Sequence, residues 1–362
     1  MNETAEVVYQ SEMRRTSGET GVVRAIDVGY GNTKFVLQAR GGGYEEVCSL
    51  FPSVTPVASV KSFAESSGMS RDTVKVPVGD LVFEVGRDAV LAQAGNAFGR
   101  TLDQEFAGTD SYVALVKGAL HYMNRDRIAA LVLGLPLSTW QSRRRELASR
   151  IEGEHKITVD GRRTVIVEHC SVVPQPLGGF YDYATGKGLL DSMANEVNLV
   201  IDPGYFTLDW LLTHGTKISD ERSGAANNGG MISLLTPIAN AIESKYGEIG
   251  NLSRLDAALL EIYTGAHRRP FRVGGQEIDL TDFFPLIEQA TRESINRMVH
   301  GLGTLADIDN VILVGGGAKF FAPAVKAKFP KHRIHIGDSP VYANVRGFQV
   351  MGEEWLKRQK RI

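Results

Sequence analysis

The sequence predicts an α/β protein built from two similar halves, and three observations support this prediction. Strand-like and helix-like segments alternate from about residue 128 onwards. One pattern occurs twice, at 22–35 and at 198–215: a strand, an aspartate, a glycine-containing turn and a second strand. A further strand at 310–314 runs directly into three glycines and an apparent helix. Two similar halves would place a ligand between them.

The composition is that of an ordinary globular protein. The chain has 362 residues, of which 43% are hydrophobic and 23% are charged, and it is long enough for two domains. Its 40 Lys and Arg residues nearly balance its 42 Asp and Glu residues, so the net charge is −2. Bulk charge therefore gives no sign of a protein that coats nucleic acid or lies on a membrane surface.

Cysteine usage and hydropathy predict a cytoplasmic protein. Cys48 and Cys170 offer neither a disulfide framework nor a paired metal-ligand spacing, which is typical of a reducing compartment. No apolar stretch approaches the roughly 20 residues needed to cross a bilayer. The polar N-terminal segment has no apolar region of the signal-peptide type. We therefore expect no membrane association and a flexible tail over residues 1–21.

The first part of the chain reads mainly as strands. We expect strands at 22–28 and 33–39, joined by the first acidic turn. Segments 47–57 and 74–86 carry β-branched residues interrupted by Pro and Gly, which predicts strands and loops. The Ser- and Lys-rich segment 59–73 between them is expected to be a flexible loop.

Helical periodicity begins at residues 109–123, where apolar residues recur at intervals of three and four. A continuous apolar strand is expected at 128–140, and a helix at 141–153 follows it. A strand at 164–174 and a helix that starts behind Pro174 complete this half.

The second half opens on the repeated hairpin at 198–215. Helices are expected at 231–246 and 284–302 from their periodicity. Residues 310–321 read as a strand, a glycine turn and the start of a helix. The chain closes with a loop that enters an amphipathic helix within 339–362.

The two hairpins carry one acid each at the corresponding point, Asp27 and Asp202. A triphosphate needs backbone N–H groups directed at it, and glycines let the chain come close enough to supply them. Magnesium keeps several waters, so one or two carboxylates at strand ends can hold it, and Lys34 would add a point charge on the phosphates. The alternative is a plain hairpin, since any tight turn favours glycine and asparagine.

Five motifs in a fixed order carry a resemblance to known proteins. They are AIDVGYGNTK, VVPQPLGG, VIDPGYFTLDW, VILVGGGAKFF and YANVRGF. The ordered set resembles the superfamily of actin, the heat-shock chaperones and the sugar kinases. Within that superfamily, GLPLSTW at 134–140 and YANVRGF at 342–348 are similar to the ParM/StbA-type bacterial actin-like ATPases, the plasmid-segregation actins, of the variety encoded with PRTRC gene systems. The resemblance spans about residues 22–353.

This resemblance implies an actin-like ATPase fold, in which two RNase H-like α/β domains flank a nucleotide cleft. On that pattern, residues 22–197 together with the returning segment 339–362 form domain I. Residues 198–338 form domain II.

The resemblance also implies catalytic and metal-binding roles. Asp27 and Asp202 would take part in catalysis and hold Mg²⁺ through water. Gln175 matches the position at which family members orient the attacking water. Because a neutral amide cannot take a proton at physiological pH, hydrolysis should be slow. Alternatively, Gln175 is a polar residue at a helix start that satisfies backbone groups.

The implied nucleotide contacts lie in two phosphate loops and an adenosine motif. They are Gly29, Tyr30, Gly31, Asn32, Thr33, Lys34, Gly204, Tyr205, Thr207, Gly315, Gly316, Gly317 and Ala318. The glycine run of the adenosine motif could instead be a tight strand-to-helix turn.

Two features of this pattern stay open. Tyr205 and Phe206 replace residues that are usually small or polar, so their side chains either point away or narrow the site. Asp209 and Glu221 either contact a ribose or belong to solvated loops.

The function implied is that of a filament-forming ATPase. ATP, or GTP, with Mg²⁺ would close the cleft, and subunits would self-associate into filaments that slow, assembly-stimulated hydrolysis weakens. Plasmid or DNA segregation would act through a DNA-binding adaptor protein. Direct nucleic-acid binding is not expected, in agreement with the near-neutral charge.

Other functions on the same fold are weighed against this one. A small-molecule kinase needs a carboxylate base beside an acceptor hydroxyl, and no sugar-site signature is found. A chaperone ATPase is disfavoured because no separate β-rich domain follows residue 353. A nucleotide-dependent regulator that does not polymerise is the remaining alternative.

Overall fold

The computed structural model describes residues 21–39, 46–58, 70–93, 103–265 and 270–359. Of the predicted tail 1–21, only Gly21 is among the described residues. Residues 59–69 of the predicted loop 59–73 also lie outside them. No helix in the described ranges is long and apolar enough to cross a bilayer.

Strands are numbered along the chain as β1 (Val23–Val28), β2 (Asn32–Gln38), β3 (Val47–Pro52), β4 (Thr73–Val78), β5 (Leu81–Gly86), β6 (Arg127–Ile128), β7 (Ala130–Leu135), β8 (Gly153–Lys156), β9 (Thr164–Val167), β10 (Cys170–Pro174), β11 (Val197–Pro203), β12 (Thr207–His214), β13 (Lys217–Ile218), β14 (Gly224–Asn227), β15 (Phe271–Val273), β16 (Gln276–Ile278), β17 (Asn310–Leu313) and β18 (Arg333–Ile336). Helices are α1 (Asp110–Met123), α2 (Leu137–Ile151), α3 (Gln175–Gly186), α4 (Leu190–Met193), α5 (Ile232–Tyr246), α6 (Leu252–Thr264), α7 (Phe284–Leu302), α8 (Ala318–Lys328) and α9 (Ala343–Gln359).

Two mixed sheets of the same topology organise the fold. In the first, the strand order is β10-β7-β1-β2-β3, with β1 antiparallel to β2 and parallel to β7. In the second, the order is β13-β12-β11-β17-β18, with β11 antiparallel to β12 and parallel to β17. The hairpin β1–β2 therefore occupies the same place in its sheet as the hairpin β11–β12 does in the other. The internal repeat and the α/β class predicted from the sequence are confirmed.

The central strands are buried on both faces, which explains their continuous apolar runs. Every residue of β1 is buried. Because side chains alternate between faces, Ile26 joins the large cluster that includes α1, whereas Ala25 packs with Val345 and Phe348 of α9 on the opposite face. The last helix thus covers the first sheet, although its residues follow the second sheet in the chain.

Helices α3 and α9 cross in close contact. Gly178 of α3 faces Gly347 of α9, and a Cβ atom added to Gly347 would overlap the carbonyl oxygen of Gly178. Beside this crossing, Arg346 donates two hydrogen bonds to the carboxylate of Asp182, at 2.8 and 2.6 Å. The crossing fixes the beginning of α9 next to the beginning of α3, where the candidate site lies.

Two of the predicted strands have different bounds in the structure. The strand predicted at 128–140 is wrong beyond Leu135, because α2 begins directly after Pro136, a residue that a helix start tolerates. The strand predicted at 164–174 is two strands, β9 and β10, which belong to different sheets. An apolar run alone cannot show that the chain changes sheets within it.

Several elements have no counterpart in the sequence prediction. Helix α6 and the hairpin β15–β16 lie between two helices that were predicted, α5 and α7. The division into domains 22–197 with 339–362 and 198–338 stays a prediction.

Candidate functional site

Asp27 stands at the centre of the first acidic hairpin. It lies near the end of β1, is 1% exposed, and faces Lys34 across the β1–β2 ladder. Lys34 Nζ donates to Asp27 Oδ2 at 2.9 Å, and Gln175 Nε2 donates to Asp27 Oδ1 at 2.7 Å. The structure therefore brings together an acid, a cation and an amide that were predicted from two separate motifs.

Gln175 is the first residue of α3 and is buried. The preceding Pro174 ends β10, so the amide enters the site where a parallel strand passes into a helix. Because one N–H of its amide is used on Asp27, Gln175 can offer a water molecule its carbonyl oxygen as an acceptor and its second N–H as a donor.

Asp202 occupies the corresponding point of the second hairpin and is 5% exposed. Asn344 of α9 donates from Nδ2 to Asp202 Oδ2 at 2.7 Å. Burial raises the pKa of Asp202 to about 6, the hydrogen bond from Asn344 opposes that rise, and the negative charge of Asp27 adds to it. The two predicted acids are therefore close enough to interact electrostatically.

The glycine motif after β17 lies against Asp202. Gly315 has a φ of +84°, and a Cβ atom at this position would overlap Asp202 Oδ1. The backbone N–H of Gly317 donates to the carbonyl oxygen of Pro203 at 2.9 Å. Gly316 is exposed, and Ala318 begins α8. The third predicted motif thus contacts the second hairpin directly.

The first turn is held by backbone and hydroxyl contacts. The N–H of Gly29 donates to the carbonyl oxygen of Asn32 at 3.2 Å. Thr33 is fully buried, and its hydroxyl lies 3.0 Å from that of Ser53. Sequence reasoning missed Ser53, which belongs to a segment read only as a broken strand.

The aromatic residues of both turns pack together. The ring of Tyr30 lies 5.4 Å from that of Phe106 and 5.0 Å from that of Phe206, between ring centroids. Its hydroxyl donates to the carbonyl oxygen of Asp103, and burial raises the pKa of Tyr30 to about 12. Tyr30 can therefore serve a ligand only through its backbone.

The side chains of Tyr205 and Phe206 lie in different surroundings. Phe206 is buried in the core cluster of the first sheet. Tyr205 lies between the two turns, since a Cβ atom added to Gly31 would stand 2.9 Å from the Cβ of Tyr205. Gly204 and Thr207 close the second turn by a hydrogen bond from the N–H of Gly204 to the carbonyl oxygen of Thr207, at 2.9 Å. The two turns thus meet at Gly31 and Tyr205.

Asp209 is a member of the site that sequence reasoning left open. It is 2% exposed and faces Asp202 across the β11–β12 ladder, so it is not a solvated loop residue, whereas Glu221 is exposed. Its Oδ1 accepts a hydrogen bond from the N–H of Leu137 at 2.9 Å, at the start of α2. The available signal was an acid within the otherwise apolar run of β12.

Burial raises the pKa of Asp209 to about 7; the hydroxyl of Thr207 opposes the rise, and the charge of Asp202 adds to it. The folded protein therefore binds this proton more tightly than the unfolded chain, whose value is near 3.8. Without nucleotide and metal, the free energy of unfolding should fall as the pH rises from about 4 to about 7.

Replacing Asp209 by asparagine should remove part of this dependence, because the amide keeps an oxygen for Leu137 and carries no charge. We expect the variant to be more stable than the wild type at pH 8, on the order of 2 kcal/mol, and no more stable at pH 4. Urea unfolding at both pH values measures the difference. A variant that loses stability equally at both pH values would contradict this account.

The acids of the site fit a hydrated divalent cation. The described residues contain no group of three or more His, Cys, Asp or Glu side chains able to hold a metal directly. Asp27, Asp202 and Asp209 are nevertheless buried close to one another; burial raises the pKa values of Asp202 and Asp209, and the neighbouring carboxylates add to that rise. Mg²⁺ retains most of its water and needs only one or two such carboxylates.

Two family models match this chain. The model of the actin-like proteins N-terminal domain matches residues 25–178, and the model of the archaeal actin homologue MreB-like C-terminal domain matches residues 200–327. The chain belongs to the actin-like proteins. Together the two matches contain the Asp27 and Asp202 hairpins and the glycine motif, and Asn344 lies beyond them.

Solved structures show the actin-like ATPase fold. The archaeal actin homologue Ta0583 superimposes with a TM-score of 0.72 at 20% identity, covering 92% of this chain and 99% of that one. A ParM subunit from a 15-stranded filament of Clostridium botulinum gives a TM-score of 0.69 at 18% identity, covering 93% and 100%. The ADP complex of Ta0583 gives a TM-score of 0.70 at 19% identity, covering 92% of this chain and 99% of that one. A search of curated proteins finds no match to the sequence.

Proposed function

We propose that this actin-like protein binds Mg²⁺-ATP between its two acidic hairpins, hydrolyses it slowly and assembles into filaments. The observation that carries the proposal is the convergence on one site of Asp27, Lys34 and Gln175 from the first half with Asp202 and Gly315 from the second. The ADP complex of Ta0583, a protein of the same fold, supports a nucleotide as the ligand.

The phosphates would be held mainly by backbone. The N–H groups of Gly29 and Gly204 are bonded within their own turns, so the residues that follow each of them would supply the N–H groups on the two sides. Lys34 would contribute a positive charge, which requires it to share its contact with Asp27. The open face at Gly316 would receive the adenosine, because no side chain stands there.

The metal would be held by Asp27 and Asp202 through water. When bound, Mg²⁺ would neutralise phosphate charge and polarise the bond to the leaving group. Burial and, to a smaller extent, the charge of Asp27 raise the pKa of Asp202, and the same ion would favour its ionised form.

Hydrolysis would depend on Gln175 as the residue that orients the attacking water. Its amide is positioned by Asp27, so its carbonyl oxygen can accept a hydrogen bond from that water. A neutral amide orients the water and takes no proton from it, which limits the rate. Slow turnover suits a filament subunit, because assembly then precedes hydrolysis.

Assembly and segregation are part of the same proposal. Two structures of the same fold, the ParM filament of Clostridium botulinum and the Alp12 filament, support self-association. We propose that DNA segregation in the cytoplasm acts through a DNA-binding adaptor, since the net charge of −2 does not favour direct binding to DNA. Domain I (22–197 with 339–362) and domain II (198–338) would close on the nucleotide.

Sedimentation tests this function. The purified protein should pellet with Mg²⁺-ATP and stay in the supernatant with Mg²⁺-ADP or with ATP and a chelator, and parallel samples with GTP test the choice of nucleotide.

Lys34→Gln should weaken nucleotide binding and pelleting about tenfold, since it removes a charge-assisted contact. A wild-type protein that binds ATP yet stays monomeric at high concentration would remove filament assembly from the proposal. Phosphorylation of a compound from a sugar panel would favour a kinase.

A further inference from the structure

Ser53 follows β3 and binds the turn between β1 and β2, residues 29–32, which is called the loop below. It is 3% exposed. Its hydroxyl donates to the carbonyl oxygen of Gly29 at 2.6 Å, and its backbone N–H donates to the carbonyl oxygen of Gly31 at 3.1 Å. One buried serine therefore fixes two carbonyl groups of the loop, those of Gly29 and Gly31, which lie 24 and 22 residues away in the chain.

The direction of these carbonyls sets the direction of the amides that follow them. In a planar trans peptide the C=O of one residue and the N–H of the next point opposite ways. Because the carbonyls of Gly29 and Gly31 point at Ser53, the N–H groups of Tyr30 and Asn32 point away from it. A phosphate needs N–H groups in its direction and is repelled by carbonyl oxygens.

We propose that Ser53 is a positioning residue for the phosphates of the nucleotide. By holding the carbonyls of Gly29 and Gly31 on its own side, Ser53 keeps the N–H groups of the loop directed at the ligand. This inference rests on the proposed function, because it presumes that the loop binds a nucleotide. Ser53 itself acts through the loop and makes no contact with the phosphates.

Thr291 provides a matched comparison outside the loop. It is a buried residue of α7, and its hydroxyl donates to the carbonyl oxygen of Ile287 at 2.8 Å. Thr291→Val therefore removes a buried hydroxyl that donates to a backbone carbonyl, as Ser53→Ala does, but leaves both carbonyls of the loop held.

The test is to measure the dissociation constants of Mg²⁺-ATP and Mg²⁺-ADP by calorimetry, together with the melting temperature. Ser53→Ala should weaken both nucleotides about tenfold, the effect of one lost positioning hydrogen bond. Ser53→Thr, which keeps the hydroxyl, should stay within about threefold of the wild type. Thr291→Val should stay within about twofold of the wild-type affinity, although its melting temperature should fall as that of Ser53→Ala does.

Two further variants serve as controls. Ser192→Ala removes an exposed hydroxyl that donates to the carbonyl oxygen of Leu189, and it should leave affinity unchanged. Ser53→Cys fills the same space with a weak donor and should lose affinity as Ser53→Ala does, which keeps the test available if the alanine variant does not fold. A wild type that binds neither nucleotide would refute the proposed function. A wild type that binds, with Ser53→Ala and Ser53→Cys binding equally well, would refute the role of Ser53 alone.

Discussion

Replacing Gln175 by alanine is expected to lower the rate of phosphate release about 100-fold, the usual contribution of a residue that positions a reacting proton or water. Binding of Mg²⁺-ATP should change little, because the proposed phosphate contacts come from backbone and from Lys34. Single-turnover release of phosphate, with ATP affinity measured separately, distinguishes the two effects. Filaments of this variant should persist for longer after ATP is exhausted from solution.

Two companion variants make this result specific. Gln175→Glu places a second carboxylate beside Asp27 Oδ1 where an amide now donates, so it should also be slow at neutral pH. Gln289→Ala removes an exposed glutamine of α7 that bonds only to Glu293 among the contacts described, and it should match the wild type. If Gln175→Ala hydrolyses ATP at the wild-type rate, the amide only satisfies groups at a helix start.

Replacing Gly347 by alanine is expected to cost about 3 kcal/mol of stability, the upper range for forcing an atom into a packed interior. The added methyl group overlaps the carbonyl oxygen of Gly178, which is backbone and cannot rotate aside. Helices α3 and α9 would have to separate, and the salt bridge between Arg346 and Asp182 would be strained with them. Urea unfolding measures the loss directly.

Gly186 supplies the control for that substitution. It ends the same helix α3, and a Cβ atom there meets nothing within 4 Å. Gly186→Ala should be neutral or stabilising by about 0.5 kcal/mol, since alanine loses less backbone entropy on folding. A Gly347→Ala protein as stable as Gly186→Ala would show that the helix crossing is looser than the structure indicates.

The sequence predicted the hairpins and the first helix, because both depend on patterns of neighbouring residues. The two hairpins were found because strand, acid, glycine turn and strand stand next to one another in the chain, as they do around Asp27 and Asp202. The helix at 110–123 was found because its apolar residues recur at helical spacing. Both signals need only a few neighbouring residues, and the family resemblance supplied the pairing of Gln175 with the first hairpin.

The residues that were missed lie far from their partners in the chain. Asn344 reaches Asp202 across 142 positions, and Asp209 reaches Leu137 across 72. Ser53 looks like any polar residue at a strand end. For Asn344 and Ser53 the signal is the buried contact itself, which depends on how the sheets and helices pack. The acid at 209 within an apolar run marks a buried site but does not show what that acid contacts.

The place of α9 has a consequence for how the chain is made on the ribosome. The strand that carries Asp27 is synthesised long before the helix that covers it and supplies Asn344 to Asp202. A nascent chain that stops short of residue 343 lacks the amide that holds its second acid and the helix that crosses α3. The candidate site therefore stays incomplete on the ribosome until α9 has been made.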